Sequence, residues 1–194
     1  KGNDLILDLE PIYQLTSLKH LKISNTWVND LKPLLSINKL QSLDVSNTSV
    51  FDLQYLKYHK DIRKLNLSNS HVEDFSVLTG FGKLTELNLN GIAGTDLSFL
   101  EGLNALEILS LEDAKGIDEV SFGQIKSLRS LHLKNSDIST VQGIAAMSQL
   151  SLLDLSATEI TSLAGFENLK SLQTLRIDNT EISDLTPLLG LTQL

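Results

Sequence analysis

The sequence contains no cysteine, only three prolines and few aromatic residues, which make up 5% of its 194 residues. Without cysteine the chain can form neither a disulfide nor a thiolate nucleophile, and this is compatible with a secreted or a cytosolic protein. No run of about 18 apolar residues is present, so we predict no membrane insertion. Acidic residues outnumber basic ones, 24 to 16, and the net charge of −8 argues against a nucleic-acid partner.

Motifs for catalysis and cofactor binding are also missing. The sequence has no GxGxxG, no Walker phosphate loop and no HExxH. The four histidines (His20, His59, His71 and His132) are too far apart in the organisation described below for two of them to share a metal. The sequence therefore predicts that the protein is not an enzyme and has no catalytic residues, bound metal or cofactor.

Aliphatic residues, mostly leucine, recur with a fixed period. The segment "SNTWVNDLKPL" at residues 24–34 returns 22 residues later as "SNTSVFDLQYL" at residues 46–56. When each period is numbered from Leu18, positions 1, 4 and 6 hold Leu, Ile or Val in eight consecutive periods. Self-similarity at a fixed period of roughly 20–50 residues predicts a solenoid, in which each period forms one coil.

Each period divides into a strand half and a helical half. Positions 4 to 6 alternate apolar, polar and apolar, which is typical of a short strand with one buried face. Small polar residues at positions 7 to 9 predict a turn. Position 13 is often an aspartate followed by apolar residues, which indicates the start of a short helix or 3₁₀ helix. This column holds Asp30, Asp52, Asp74, Asp96, Asp118 and Asp184.

The pattern resembles the leucine-rich repeat, in the 22-residue form found in bacterial internalin-like surface proteins and, more distantly, in a nuclear regulator of a protein phosphatase. "DLTPLLGLTQL" at 184–194 is similar to the bacterial form, and "LAGFENLKSL" at 163–172 to the regulator form. The resemblance implies an α/β repeat solenoid with a curved parallel sheet on its concave face and short helical or 3₁₀ turns on its convex face. Where the family usually has Asn at position 9, this chain has Thr or Ser, whose hydroxyl we expect to bond the loop backbone.

The register predicts one solenoid over residues 1–194. It consists of a partial repeat at 1–17, eight 22-residue repeats at 18–193 and the start of another at 194. Solenoids normally carry polar caps at both ends, and neither is evident here. We therefore expect a segment of a longer protein, which could self-associate end to end through its uncapped edges.

The pattern slips once, between residues 109 and 128. Glu119 stands where a leucine is expected, and Ile117 and Val120 each come one residue late, while Phe122 is back in register. We interpret the slip as a local bulge, and a binding feature in the loops of residues 90–119 is the alternative.

The outward residues of the predicted concave face, at positions 3, 5 and 7, supply the candidate site. The N-terminal part of this face is mostly Ser and Asn, whereas from Ile108 onward it becomes varied in charge and includes two aliphatic residues. This composition is typical of a protein interface with an apolar centre and a polar rim. The candidate residues are Ile108, Glu112, His132, Lys134, Leu152, Asp154, Arg176 and Asp178.

Trp27 is the only tryptophan and forms a second candidate for protein binding. It occupies position 10, on the predicted loop edge, and exposed tryptophans are frequent at interface hot spots. It could equally cover the N-terminal end of the coil.

Three functions from different classes remain open at this point. The first is a module that binds a protein partner through the concave face, in a bacterial surface or secreted protein. The second is a structural spacer that presents another domain. The third is an intracellular regulator of an enzyme such as a phosphatase, which would make the location cytoplasmic rather than extracellular.

Overall fold

The structure is a computed structural model that describes residues 3, 5–94, 96–117, 122–140 and 142–194. Eight three-residue strands form one parallel sheet, and each strand pairs with the next one along the chain. Pairing is in register with the sequence period, so that Leu21 lies beside Leu43 and Leu43 beside Leu65. The strands are β1 (His20–Lys22), β2 (Ser42–Asp44), β3 (Lys64–Asn66), β4 (Glu86–Asn88), β5 (Ile108–Ser110), β6 (Ser130–His132), β7 (Leu152–Asp154) and β8 (Thr174–Arg176). The predicted leucine-rich-repeat solenoid is confirmed.

The helical half of each coil is a single short 3₁₀ segment. Proline occupies an early position in several of them, where its missing N–H costs nothing. The segments are Glu10–Ile12, Lys32–Ser36, Gln54–Leu56, Ser76–Gly80, Ser98–Gly102, Phe122–Gln124, Ile144–Ala146, Phe166–Asn168 and Thr186–Leu188.

The aspartates at position 13 mark the starts of the 3₁₀ segments, as predicted, and lie one residue before the N-cap. The Oδ1 atom of Asp30 accepts the backbone N–H of Lys32 at 2.7 Å, which fixes the entry into the 3₁₀ segment. Asp52, Asp74, Asp96 and Asp184 each make the same bond at 2.8 Å. Asp118 lies outside the described residues.

The aliphatic columns form one continuous core between the sheet and the 3₁₀ segments. Leu43, Leu65 and their equivalents in the inner coils are almost fully buried, and the rings of Phe75 and Phe99 stack at 5.4 Å. Five hydroxyls at position 9 bond within their own coil, as when Thr48 Oγ1 donates to the carbonyl of Val45 at 2.6 Å. These bonds support a structural role for the column, although the buried hydroxyl of Ser70 has no hydrogen-bond partner among the described residues.

Position 8 has a left-handed backbone in each of the eight complete coils. The residues concerned are Asn25, Asn47, Asn69, Gly91, Asp113, Asn135, Ala157 and Asn179, with φ between 52° and 72°. Asn and Gly adopt this conformation most readily, which explains their frequency in this column. The sharp bend it produces ends the strand half and sends the chain along the loop edge of the solenoid.

The structure describes the residues on both sides of the slip in the repeat, 109–117 and 122–128. Ala93 and Lys115 form an isolated parallel bridge on the loop edge, and the flanking glycines Gly94 and Gly116 have positive φ. Ile117 and Phe122 are buried, so both sides of the slip rejoin the core. Glu119 and Val120 lie outside the described residues.

Candidate protein-binding face

The sheet brings the candidate residues of the C-terminal half onto one face, called here the concave face. Ile108, His132, Leu152, Asp154 and Arg176 lie in strands β5 to β8. Glu112, Lys134 and Asp178 follow two residues after the strand ends, at position 7. Trp27 is not part of this cluster, because it lies on the loop edge of the first complete coil, four coils away from Ile108.

Two aliphatic side chains form the apolar part of the face. Ile108 is 38% exposed and Leu152 is half-buried. Both pair in register with Ser130, which lies between them on β6. At about 4.8 Å per strand, their Cα atoms are roughly 10 Å apart. A partner side chain placed over Ser130 would therefore contact both of them.

Asp154 departs from the expectation that it is available to a partner. It is only 3% exposed, although it lies on the outward side of β7. Its Oδ1 atom accepts the backbone N–H of Ser156 at 3.0 Å, and its Oδ2 atom contacts Arg176 Nη1 at 3.3 Å. Asp154 therefore has a structural role: it closes its own turn and orients the side chain of Arg176.

Opposing effects act on the pKa of Asp154. Burial of the carboxylate raises this pKa, whereas the hydrogen bonds from Ser156 and the charge of Arg176 lower it. The lowering effects are larger in sum, so the pKa of Asp154 lies below its ordinary value. The carboxylate is ionised at neutral pH and stays available to hold Arg176.

The same cap recurs at position 5 of other coils, and the sequence analysis missed it. Asp44 accepts the N–H of Ser46 at 3.1 Å, and Asn66 accepts that of Ser68 at 3.0 Å. Asn88 does so for the residue two positions later, also at 3.0 Å. The recurring signal was an Asp or Asn followed two residues later by Ser or Asn, which is typical of an Asx turn. The sequence pattern alone had placed these residues only as outward-facing positions of the sheet.

The remaining charged groups of the candidate face are only partly neutralised. His132 Nδ1 lies 3.9 Å from Glu112 Oε1, and His132 Nε2 is 2.9 Å from the hydroxyl of Ser130. Lys134 is exposed and makes no ion pair with any described residue. The side chain of Asp178 is exposed, and within the described ranges its carboxylate accepts only a long bond from Ser156, at 3.4 Å.

The N-terminal half of the concave face differs, because its charges pair with each other. Lys22 contacts Asp44 at 2.7 Å, and Lys64 contacts Glu86 at 2.6 Å, each across neighbouring strands. Such pairs leave little charge for a partner. The two halves therefore differ in both apolar exposure and free charge.

Trp27 has a different environment. Its side chain is 61% exposed, and its backbone N–H donates to the carbonyl of Ile6 at 3.1 Å. The indole ring thus extends from a fixed backbone at the loop edge and is mostly open to solvent.

Within the described ranges, no group of three or more His, Asp or Glu side chains is arranged to hold a metal ion. The helices in the part of the chain that the structure describes are too short to cross a bilayer.

Comparisons with known proteins find similarity at the level of structure. No family model matches the chain, and no curated protein matches it significantly. An internalin (inlF) of Listeria monocytogenes matches with a TM-score of 0.89 and 27% identity, over 97% of this chain and 56% of its own. Internalin C2 of the same species has a TM-score of 0.80 and 26% identity, over 90% of this chain and 77% of its own.

A leucine-rich-repeat protein of Leptospira interrogans shares the fold. Its TM-score is 0.86 at 23% identity, over 96% of this chain and 50% of its own. The chain thus spans about half the length of this protein and of inlF.

Proposed function

Since this chain is an internalin-like leucine-rich-repeat protein, we propose that it is a protein-interaction module that binds its partner through the C-terminal half of the concave face. The observation that carries the proposal is the exposure of Ile108, with Leu152 beside it, on a sheet face that is otherwise polar. Exposed aliphatic side chains held on a rigid sheet lose little conformational entropy on binding, which favours association.

The charges around these residues support the same face. Lys134 and Asp178 are exposed at position 7 of the β6 and β8 coils, beside the apolar pair, and lack close partners of opposite charge among the described residues. Arg176 is held in place by Asp154. A partner with complementary charges would gain orientation and a faster association rate from these groups.

The proposed location is the bacterial surface or the extracellular medium. Its support is the similarity to the Listeria internalin folds. The test is to express the complete gene in its own host and to treat intact cells with protease. Digestion on intact cells, or recovery from the medium, would support the proposal, whereas recovery only after lysis would favour the intracellular regulator.

The binding proposal is tested with a double variant, Ile108→Ser with Leu152→Ser. A partner captured from cell extracts by the wild-type chain is purified, and its Kd for each variant is measured. We expect the double variant to bind at least about tenfold more weakly, since about 1.4 kcal/mol of contact energy corresponds to that factor. The matched control is Lys64→Ser with Glu86→Ser, which removes an exposed ion pair from the N-terminal half of the same face.

The control should bind as the wild type does and melt at a similar temperature, because exposed ion pairs contribute little to stability. Equal affinity of all three proteins would contradict the proposal. If the wild-type chain captures no partner, the spacer function becomes the better explanation.

A further inference from the structure

Trp27 lines a shallow groove on the loop edge of the first three complete coils, away from the concave face. The groove has a volume of about 380 Å³. This is within the range of roughly 300–1,000 Å³ that is usual for ligand pockets. Its main polar and aromatic residues are Asn25, Asn47 and Asn69 at position 8 and Trp27, Ser49 and His71 at position 10.

The coil geometry explains why these side chains meet. The left-handed bend at position 8 leaves the three asparagines exposed, one in each coil. Asn69 Nδ2 donates to Asn47 Oδ1 at 3.0 Å, so the amides form a short ladder. Successive coils are about 4.8 Å apart at the strands, which is close to the rise per sugar ring of an extended oligosaccharide.

The floor of the groove is held by a second set of backbone bonds. The position-10 N–H groups of Trp27, Ser49 and His71 donate to carbonyls of the preceding coil at 3.0 to 3.1 Å. In the 22-residue register, Trp27 and His71 are two coils apart, which is roughly 10 Å at the coil spacing. The small residue Ser49 lies between them. Two planar side chains separated by a small residue leave space for a ring-shaped ligand.

The groove carries no fixed charge. Its lining consists only of Asn, Thr, Ser, His and Trp residues. The hydroxyls of Thr26 and Thr48 already donate to carbonyls of their own coils. The amides at the rim can both donate and accept hydrogen bonds, whereas a charged ligand would find no counter-charge here.

We propose that this groove binds an uncharged oligosaccharide. A sugar ring stacks its C–H face on the indole of Trp27, whose face carries partial negative charge. The sugar hydroxyls exchange hydrogen bonds with the amides of Asn47 and Asn69 and with the hydroxyl of Ser49. The site is separate from the proposed protein-binding face, and each can exist without the other.

The test uses Trp27 as its own reporter, since it is the only tryptophan in the sequence. The wild-type chain is titrated with cellotriose, chitotriose, maltotriose and lactose at up to millimolar concentrations. We expect at least one of them to shift or quench the tryptophan emission saturably, and calorimetry should give the same Kd. Heparin oligosaccharide serves as a charged comparison and should bind more weakly.

Three variants locate the binding by calorimetry. Trp27→Ala should weaken it by more than about tenfold, a loss of about 1.4 kcal/mol. Ser49→Leu should weaken it while retaining the indole, because it fills the gap between Trp27 and His71. The matched control is Phe51→Ser, which removes an equally exposed aromatic ring (62%) that does not line the groove. It should bind as the wild type does.

Melting curves for each variant separate a lost site from a lost fold. No response to any neutral sugar would overturn the proposal, as would unchanged binding by Trp27→Ala. If the tryptophan emission is quenched by the protein partner of the concave face but by none of the sugars, the proposal is also overturned. Trp27 would then be assigned to a protein interface.

Discussion

Ala157 is the one residue at position 8 that has a β-carbon but no polar side chain, and its φ is 56°. A β-carbon in this conformation lies too close to the neighbouring carbonyl, and only Gly, Asn and Asp adopt it readily. The other members of the column are of these three types. Ala157 therefore holds a strained backbone that its neighbours in the sheet impose.

We expect Ala157→Asn to raise the free energy of unfolding by about 0.5–1 kcal/mol, because the strain is relieved without changing the core. Urea unfolding followed by circular dichroism measures the change. The reverse substitution at the equivalent site, Asn179→Ala, should lower stability by a similar amount. An Asn variant that is no more stable than the wild type would show that Ala157 is not strained.

The position-5 caps join a strand to the turn that follows it. In β7, the buried carboxylate of Asp154 receives the N–H of Ser156 and contacts Arg176 in β8. In β2, Asp44 has the same arrangement with Ser46 and with Lys22 of β1. One side chain thus closes its own turn and links two strands.

We expect Asp154→Asn to lower the free energy of unfolding by about 1–2 kcal/mol at neutral pH, because hydrogen bonds to a charged group are stronger. The folded protein lowers the pKa of Asp154 below 3.8. The ionised carboxylate of Asp154 therefore makes its full contribution to folding stability above about pH 4. That contribution is lost as the pH falls through the folded-state pKa. The stability difference between wild type and variant should shrink in urea titrations below about pH 4.

The control for this prediction is Asp178→Asn, which changes an exposed carboxylate at position 7 of the next coil, on the same face. It should change stability by no more than about 0.5 kcal/mol. If the difference in free energy of unfolding between wild type and Asp154→Asn stays constant down to pH 2, the carboxylate charge does not contribute to stability.

The 22-residue period was sufficient to predict which side chains face the core and which face outward. It could not predict how exposed an outward side chain is, because that depends on residues in the adjacent coils. Asp154 shows this, since it is only 3% exposed and contacts Arg176 one coil later and Ser156 two residues later. The groove at Trp27 was missed for a similar reason, since it is formed by three coils together.

The whole molecule is a stack in which each coil contacts mainly its two neighbours. The parallel register between β1 and β2 is repeated between β2 and β3 and continues to β8. Each coil buries its aliphatic columns against those of the next. Stability should therefore depend on the number of coils and on the integrity of each one.

Deleting one complete period tests this dependence. Removal of residues 40–61 brings the coil of β1 next to the coil of β3, with every aliphatic column still aligned. We expect the shortened chain to fold with unchanged strand signal per residue in circular dichroism, but with a lower melting temperature because one interface between coils is lost. Gel filtration should show a compact monomer or the same assembly as the wild type.

Deleting half a period should have a much larger effect. Removal of residues 51–61 takes away fewer residues than the full-period deletion but leaves only eight between β2 and β3. Parallel strands need a crossover of about a dozen residues or more, so these two could no longer pair in the sheet. We expect broad or lost thermal unfolding in this variant. If it melts as cooperatively as the full-period deletion, the coil is not the unit from which this protein is built.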